Sequence, residues 1–254
     1  MEDQEVQRKL RTFSELMGRF KFFSQLGLDS YDGTRDVYQA LGYPKDVTWS
    51  NYWARYNRQD MAKAIIDRPV QASWKGEIDV IETIAEDLTP FEEAWNEIYN
   101  RLKLKSVFTR ADKLTGIGQY SVIFLGLDDV TNTEALVNPV RKNGIPKLLY
   151  VKPLSQETAQ IEKFEESPKN ERYGLPLIYS ITIQSGEKSQ NIRVHYSRVV
   201  HITEEVLQDE VHGTPRLQAV YNRLIDLEKL VGGDAEMFWR GARPGYTGEV
   251  SPDY

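Results

Sequence analysis

The sequence predicts an α+β fold with a helical N-terminal region, a mixed, β-rich middle and a long C-terminal helix. Across residues 1–117, apolar residues recur at the spacing of amphipathic helices. Residues 118–203 instead contain short runs of β-branched and aromatic residues between turn-forming residues. Residues 204–254 return to a helical pattern. Because helices and strands are segregated and do not alternate, we expect an α+β fold whose structural regions are these three ranges.

The N-terminal region begins with an amphipathic helix predicted over residues 4–25. A loop is predicted over Gly27–Gly33. The next predicted element is a short helix over Val37–Leu41, because the sequence Gly-Tyr-Pro at 42–44 ends a helix.

Three further helical segments are predicted before residue 117. Thr48 is a suitable N-cap for a helix that runs to Trp74, and Pro69 predicts a kink or a break within it. Another helix begins at Thr89-Pro90, because Thr is a favourable N-cap and Pro is favourable at the first helical position. The third segment covers residues 106–114.

Four strands are predicted in the β-rich region, over residues 120–125, 148–151, 176–184 and 192–202. The last two are expected to pair across the turn-like residues 185–188. The final long helix is predicted to open at Thr214-Pro215 and to close on Phe238-Trp239.

Composition excludes several classes of function. The 254 residues contain no cysteine, which excludes disulfide scaffolds, thiolate metal sites and cysteine nucleophiles. A net charge of −6 provides no general basic surface for nucleic acid. The sequence has no apolar run long enough to cross a membrane and no signal-peptide core at its start. Five Trp, fourteen Tyr and nine Phe fit either an aromatic core or a large protein–protein interface.

Three histidines, at 195, 201 and 212, are the main candidates for chemistry. His195-Tyr-Ser and His201-Ile-Thr each resemble the His-x-Ser/Thr element of two-histidine phosphoesterases. On one continuous strand over 192–202, however, the two histidines would lie about 20 Å apart. We therefore expect them to order the strand-to-helix junction, and we predict no catalytic, cofactor-binding or metal-binding residue.

Other motifs also favour a structural protein. Gly116-x-Gly118 precedes a strand and lacks the third glycine of a dinucleotide fingerprint. No phosphate-binding lysine loop and no Gly-x-Ser-x-Gly elbow is present in the sequence. The acidic pairs Asp128-Asp129, Glu165-Glu166 and Glu204-Glu205 are expected in solvated loops.

Four stretches in a fixed order carry a resemblance to a known family. They are NYWARYNRQDMAKAIIDRPVQASWKG, FTRADKLTGIGQYSVIFLGLDD, HYSRVVHIT and GTPRLQAVYNRLIDLEKL. Their order and spacing resemble phage portal proteins, specifically the family whose domain also bears the label of the N-terminal part of anti-CBASS-like proteins. Pro215 stands where the pattern more usually has Ser, and the later FWRGARPG is similar to the end of the corresponding portal helix.

The resemblance implies a non-enzymatic structural protein that forms a ring at one vertex of the capsid, typically a dodecamer of itself. Double-stranded DNA would pass through such a ring during packaging and ejection, without sequence specificity. The implied partners are the terminase large subunit and the head–tail connector proteins, with no cofactor and no membrane. The implied location is the virion, after assembly in the host cytoplasm.

The resemblance also assigns parts of the chain. The helical region and the strand at Tyr120 would belong to the wing, residues 148–203 would contain the clip, and residues 214–243 would form a stem or channel-side helix. Motif residues with structural roles are His195, Ser197, Arg198, His201, Gly213, Leu217 and Tyr221. Candidate channel or subunit-interface residues are Arg216, Arg223, Phe238, Trp239 and Arg240. Portal chains are usually longer, so we expect this chain to be truncated at its C-terminus.

Two alternatives remain open at this stage. The anti-defence label and the two His-x-Ser/Thr pairs suggest a phosphoesterase-type enzyme that acts on cyclic nucleotides. The helical content also fits a virion adaptor other than a portal.

Overall fold

The computed structural model describes residues 37–82, 88–141, 144, 146–185 and 188–241. The helix predicted over 4–25 and the loop over Gly27–Gly33 lie outside these residues. The chain divides into two compact units, residues 1–47 and residues 48–254. In the first unit, helix α1 spans Val37–Leu41, as predicted, and Gly42 follows it with φ +70°.

The second unit begins with four helices and continues with strands. The helices are α2 (Trp49–Arg58), α3 (Asp60–Ser73), α4 (Pro90–Leu102) and α5 (Leu104–Ile117). The strands are β1 (Tyr120–Leu127), β2 (Leu148–Ser155), β3 (Ala159–Phe164), β4 (Pro176–Ser185), β5 (Lys188–His195) and β6 (Val199–Thr203). Short 3₁₀ turns cover Thr133–Val137 and Tyr196–Arg198, and the last helix, α6, spans Tyr221–Gly241. The predicted α+β class is confirmed.

The helix predicted from Thr48 to Trp74 is interrupted, but not at the expected residue. Thr48 is the N-cap, and the interruption lies at Gln59, whose backbone is extended at φ −118° and ψ 125°. Helix α3 continues through Pro69 and ends at Ser73. The prediction of a break at Pro69 was therefore wrong, because a tertiary contact of Gln59, described below, sets the break.

The helix predicted at Thr89-Pro90 is confirmed, and its start is a capping box. Glu92 N donates to Thr89 Oγ1 at 3.3 Å, and Thr89 N donates to Glu92 Oε2 at 3.0 Å. The reciprocal bonds satisfy two backbone donors that the helix itself leaves free. Lys103, in a left-handed conformation with φ 52°, then separates α4 from α5.

The six strands of the described ranges form two antiparallel sheets of three strands. The first sheet has the order β2-β1-β6 and the second the order β3-β4-β5. Strand β3 was not predicted, because AQIEKF carries polar residues and little β-branched content. The hairpin predicted across 185–188 is confirmed as the β4–β5 pair.

Strand β1 lies at the centre of three layers. Val122 and Phe124 pack with Tyr179, Ile181 and their neighbours of the second sheet. On its other face, Ile123 packs against Val107 and Ala111 of α5. Alternate side chains of a strand face opposite sides, so both faces of β1 are buried between a sheet and a helix.

Two sequence-based boundaries near the C-terminus were wrong. The single strand predicted over 192–202 is divided into β5 and β6, which belong to different sheets, by the turn Tyr196–Arg198. The final helix begins at Tyr221, after a series of turns, and not at Thr214-Pro215. Both differences arise from tertiary contacts at the strand-to-helix junction.

Candidate functional site

The segment from His195 to α6 carries the chain from the second sheet to the first and then into the long helix. We call residues 195–225 the junction, and the exposed residues 227–241 of α6 the distal half. Most of the motif residues identified in the sequence lie in the junction.

His195 forms the cap of the turn between β5 and β6. Its Nδ1 accepts a hydrogen bond from Ser197 N at 3.2 Å and lies 2.9 Å from Ser197 Oγ. Ser197 Oγ in turn accepts from Val140 N at 3.0 Å. Burial, followed by the charges of Arg198 and Arg172, lowers the pKa of His195. The His-x-Ser element therefore holds a neutral imidazole in a structural turn.

Arg198 is the most buried cation of the junction, with 1% of its side chain exposed. Its Nη1 and Nη2 donate to Oδ1 and Oδ2 of Asp129 at 2.6 and 2.7 Å, and its Nε donates to Asn138 O at 3.3 Å. The hydrogen bond from Arg198 lowers the pKa of Asp129 although burial opposes it. The expectation that Asp128-Asp129 is a solvated pair was therefore wrong for Asp129, whose carboxylate is paired in the interior.

His201 links the two sheets to the connection that follows β6. Its Nε2 lies 2.8 Å from Val211 O and its Nδ1 lies 3.1 Å from Tyr179 Oη. A carbonyl oxygen only accepts, so Nε2 carries the proton and Nδ1 accepts from the tyrosine. Burial is the main cause that lowers the pKa of His201. Both ring nitrogens are thus engaged inside the protein, which gives His201 a structural role.

Gly213 is required by a close backbone approach. Its N donates to Gln119 O at 2.8 Å, and Thr214 N donates to Glu204 O at 3.1 Å. A Cβ at position 213 would lie only 2.0 Å from Glu204 O. Any other residue would force this connection away from Glu204, which directly follows β6.

Arg216 fastens the same connection to α5. Its Nη2 donates to Asp112 Oδ1 at 2.8 Å, its Nε lies 2.8 Å from Glu204 Oε2, and its backbone N donates to Gly116 O at 2.9 Å. Burial alone would lower the pKa of Arg216, but the hydrogen bonds and charges of Glu204 and Asp112 raise it. The structure thus places this candidate interface residue inside an ion-pair cluster, and Leu217 beside it is buried.

The base of α6 packs on α2. The rings of Tyr221 and Tyr52 meet edge to face at 5.6 Å, and Gln59 Nε2 donates to Leu224 O at 2.9 Å. The latter bond explains the helix break at Gln59, because the side chain must reach the carbonyl of another helix. Arg55 also forms an ion pair with Glu228.

The distal half of α6 is exposed at every residue from Leu227 to Gly241. Five large apolar side chains there lie along one side of the helix at about 100° per residue. We call them the apolar stripe: Leu227, Leu230, Val231, Met237 and Phe238. The stripe is rotated by roughly 130° from the face that Tyr221, Leu224 and Ile225 bury, so it does not continue that packed face.

The remaining candidate interface residues are exposed as well. Trp239 lies outside the stripe, in line with Tyr221 along the helix, whereas Arg240 lies on the face away from the stripe, where it pairs with Glu236. Arg223 is exposed near the base of the helix and pairs with Asp226 at 3.3 Å. Sequence periodicity revealed the helix, but it could not show which of its apolar residues remain uncovered.

The described ranges contain neither a metal-binding cluster nor a membrane-spanning helix. No group of three or more His, Asp or Glu side chains there could hold a metal ion. In that part of the chain no helix is both long enough and apolar enough to cross a membrane. What the described geometry does show is an uncovered apolar stripe on α6 and a buried polar junction at the base of that helix.

Comparison with known protein families identifies a match. A family model described as phage portal protein matches residues 50–241, well over half of the chain. The matched range contains the junction and the whole of α6. A search of curated proteins found no match.

Proposed function

Because the chain belongs to the phage portal protein family, we propose that it is a subunit of a ring-shaped channel at one vertex of the capsid. A portal-type structural role in the virion follows from the family itself. The ring, the DNA that passes through it and the docking of terminase and head–tail connector proteins are the finer parts of the proposal.

The apolar stripe on α6 is the observation that carries the proposal. Leu230 is 66% exposed and Phe238 is 73% exposed, although both follow the spacing of a buried helix face. Exposed apolar side chains on one side of a helix, here with the carboxylate of Asp234 between Val231 and Met237, mark an interaction site in soluble proteins. A closed ring needs extended surfaces of this type on each subunit, because every subunit contacts two neighbours through different faces.

Charge supports passage of DNA without tight binding. Proteins that bind DNA strongly neutralise many phosphates with Lys and Arg. This chain has 32 Lys and Arg against 38 Asp and Glu, for a net charge of −6. Arg223 and Arg240 are exposed on α6 and are the candidates for weak contacts with DNA in the channel.

The proposal divides the chain as the resemblance implies. Residues 1–117 would form the wing-like region, residues 118–203 the remaining wing and the clip that faces terminase, and residues 204–254 the stem-like end. The junction would then transmit the position of the clip to the stem helix through its hydrogen bonds.

The test is assembly of the purified chain. Native mass spectrometry and negative-stain imaging are expected to show closed rings. Leu230→Asp combined with Phe238→Asp is expected to abolish them, because two carboxylates would have to be buried at the interface. Gly232→Asp combined with Gly233→Asp is the matched control, since it adds the same charge on the other side of α6, where a Cβ meets nothing within 4 Å.

Two results would contradict the proposal. If the chain stays monomeric at high concentration, the proposed ring is contradicted. If the stripe variant and the wild type formed rings equally well, the ring would be supported, but the stripe would not be its interface.

A further inference from the structure

A second pair of surfaces, separate from the stripe, carries complementary charge. The first is a cleft of about 460 Å³ beside the α4–α5 turn, which we call the basic cleft. Its charged lining residues are Lys103, Lys105, Arg110, Lys113 and Glu77. Four cations therefore face one carboxylate, in a chain whose net charge is negative.

The cations of the basic cleft are only partly neutralised. Lys105 pairs with Glu77, and Lys113 pairs with Asp67, each at 2.9 Å. Lys103 and Arg110 are exposed, and neither forms an ion pair within the described ranges. Among the described residues, the cleft thus presents two positive charges without an ion-pair partner, together with the ring of a tyrosine at position 99.

The complementary surface is the segment 205–210, Glu-Val-Leu-Gln-Asp-Glu, which we call the acidic loop. All six residues are exposed, and Leu207 is 89% exposed. In the part of the chain that the structure describes, Glu205 and Glu210 have no ion pair, whereas Asp209 pairs with His212 at 2.6 Å. An apolar tip between carboxylates fits a cleft with cationic rims and an aromatic wall.

The acidic loop is held at both ends and is therefore presented in a fixed position. Thr214 Oγ1 donates to Glu205 O at 3.2 Å, and His201 donates to Val211 O at 2.8 Å. A preformed loop loses little conformational freedom on binding, which favours a specific contact.

Backbone conformation distinguishes the same two surfaces. Among the described residues, Lys103 with φ 52° and Glu205 with φ 54° are the non-glycine residues with positive φ. Such conformations are unfavourable for residues with a side chain and concentrate at functional sites. One lies in the basic cleft and the other in the acidic loop.

We propose that the acidic loop of one subunit docks into the basic cleft of the next copy of this chain, a contact that rests on the proposed ring. A ring interface is heterologous, so each subunit must carry two different surfaces that fit each other. The cleft and the loop meet this requirement through opposite charge, and opposite charge also selects the correct orientation of neighbours. The exposed leucine favours a protein partner over the phosphates of DNA.

The test is a charge swap measured by sedimentation velocity over a range of protein concentrations. Lys103→Glu with Arg110→Glu reverses the cleft, and Glu205→Lys with Glu210→Lys reverses the loop. Each variant alone is expected to raise the concentration needed for assembly by about tenfold or more. When both changes are made in one chain, this concentration is expected to return to within about threefold of the wild-type value. Lys63→Glu with Arg68→Glu is the matched control on α3, outside the cleft.

Each outcome has a distinct meaning. Wild-type rings with variants that assemble normally would overturn the docking contact alone. The docking contact would also be overturned if both single-surface variants lost assembly and the combined chain did not regain it. Thermal unfolding must show that all these proteins are folded. A cleft variant that assembles normally but binds DNA more weakly would assign the cleft to phosphate. If the wild type forms salt-sensitive dimers but no rings, the docking contact is supported and the proposed ring is contradicted. A strictly monomeric wild type would contradict both the contact and the ring.

Discussion

Helix α6 begins in a packed environment and ends in solvent. Leu224 near its base is 4% exposed, whereas Leu230, less than two turns later, is 66% exposed. The same residue type on the same helix thus contributes to the interior of the subunit at one position and to its surface at the other. This contrast separates the residues that stabilise the fold from those available for assembly.

The polar contacts of the two regions differ in the same way. The junction contains the buried, bidentate pair of Arg198 and Asp129 and the cluster around Arg216. The distal half has the solvent-exposed pair of Arg240 and Glu236. Exposed pairs of this kind contribute less than about 1 kcal/mol, whereas removal of one partner from a buried pair is costly. The stability of the subunit should therefore depend on the junction and very little on the distal half.

The largest effect on stability is expected from Arg198→Ala. The substitution leaves Asp129 buried without its partner, and it should lower the free energy of unfolding by about 3–5 kcal/mol. Arg240→Ala is the matched control in the distal half, because its side chain is 78% exposed, and its effect should stay within about 0.5 kcal/mol. Urea denaturation measures both. Equal effects of the two substitutions would show that the junction does not have the stabilising role assigned to it.

A pair of leucine substitutions tests the helix itself. Leu224→Ala should lower the free energy of unfolding by about 2–5 kcal/mol, because it leaves a cavity at a buried position. Leu230→Ala should change it by less than about 0.5 kcal/mol but should weaken assembly, because its side chain belongs to the stripe. Urea denaturation of the monomer and sedimentation velocity separate the two effects. If Leu230→Ala destabilised the monomer as much as Leu224→Ala, the stripe would be part of the subunit core.

Local sequence signals predicted the elements that local contacts determine. The start of α4 follows from Thr89 and Glu92, three residues apart, and β1 follows from its continuous β-branched and aromatic run. The errors lie where distant residues meet. The strand over 192–202 is broken at Arg198, which pairs with a carboxylate 69 residues away. The break at Gln59 depends on a carbonyl 165 residues away.

In the candidate site, too, local patterns were predicted from the sequence, and contacts between distant residues were not. Periodicity identified a long helix with Phe238 and Trp239 near its end, because that pattern is local. It could not distinguish the buried Leu224 from the exposed Leu230, since burial depends on where α2 lies. Asp129 was likewise indistinguishable from its neighbour Asp128, because only the fold brings Arg198 to it.

Mild acidification should lower the stability that the junction contributes and should not change the contribution of the distal half. The reason is that the histidines at 195, 201 and 212 all precede α6. The pKa of His201 is lowered in the folded state, mainly by burial. Above the unfolded value near 6.5, the ring is neutral in both states and contributes nothing. As the pH falls below about 6.5, the unfolded chain binds a proton that the folded chain does not, so stability decreases by at most about 1.4 kcal/mol per pH unit for this group.

The measurement is the free energy of unfolding between pH 7.5 and 5.5, in the wild type and in His201→Gln, which retains a donor for Val211 O. The slope should be smaller in the variant, and the residual slope should include His195, whose pKa is lowered in the same direction. Two other groups that contact the junction, a carboxyl and a phenol, titrate outside this window. Asp129, with its lowered pKa, loses its contribution only below the unfolded value near 4, and burial raises the pKa of Tyr120 to about 12. An identical slope in both proteins would mean that His201 is not held neutral between Tyr179 and Val211. In that case, the hydrogen bonds of His201 would not link the two sheets at the junction.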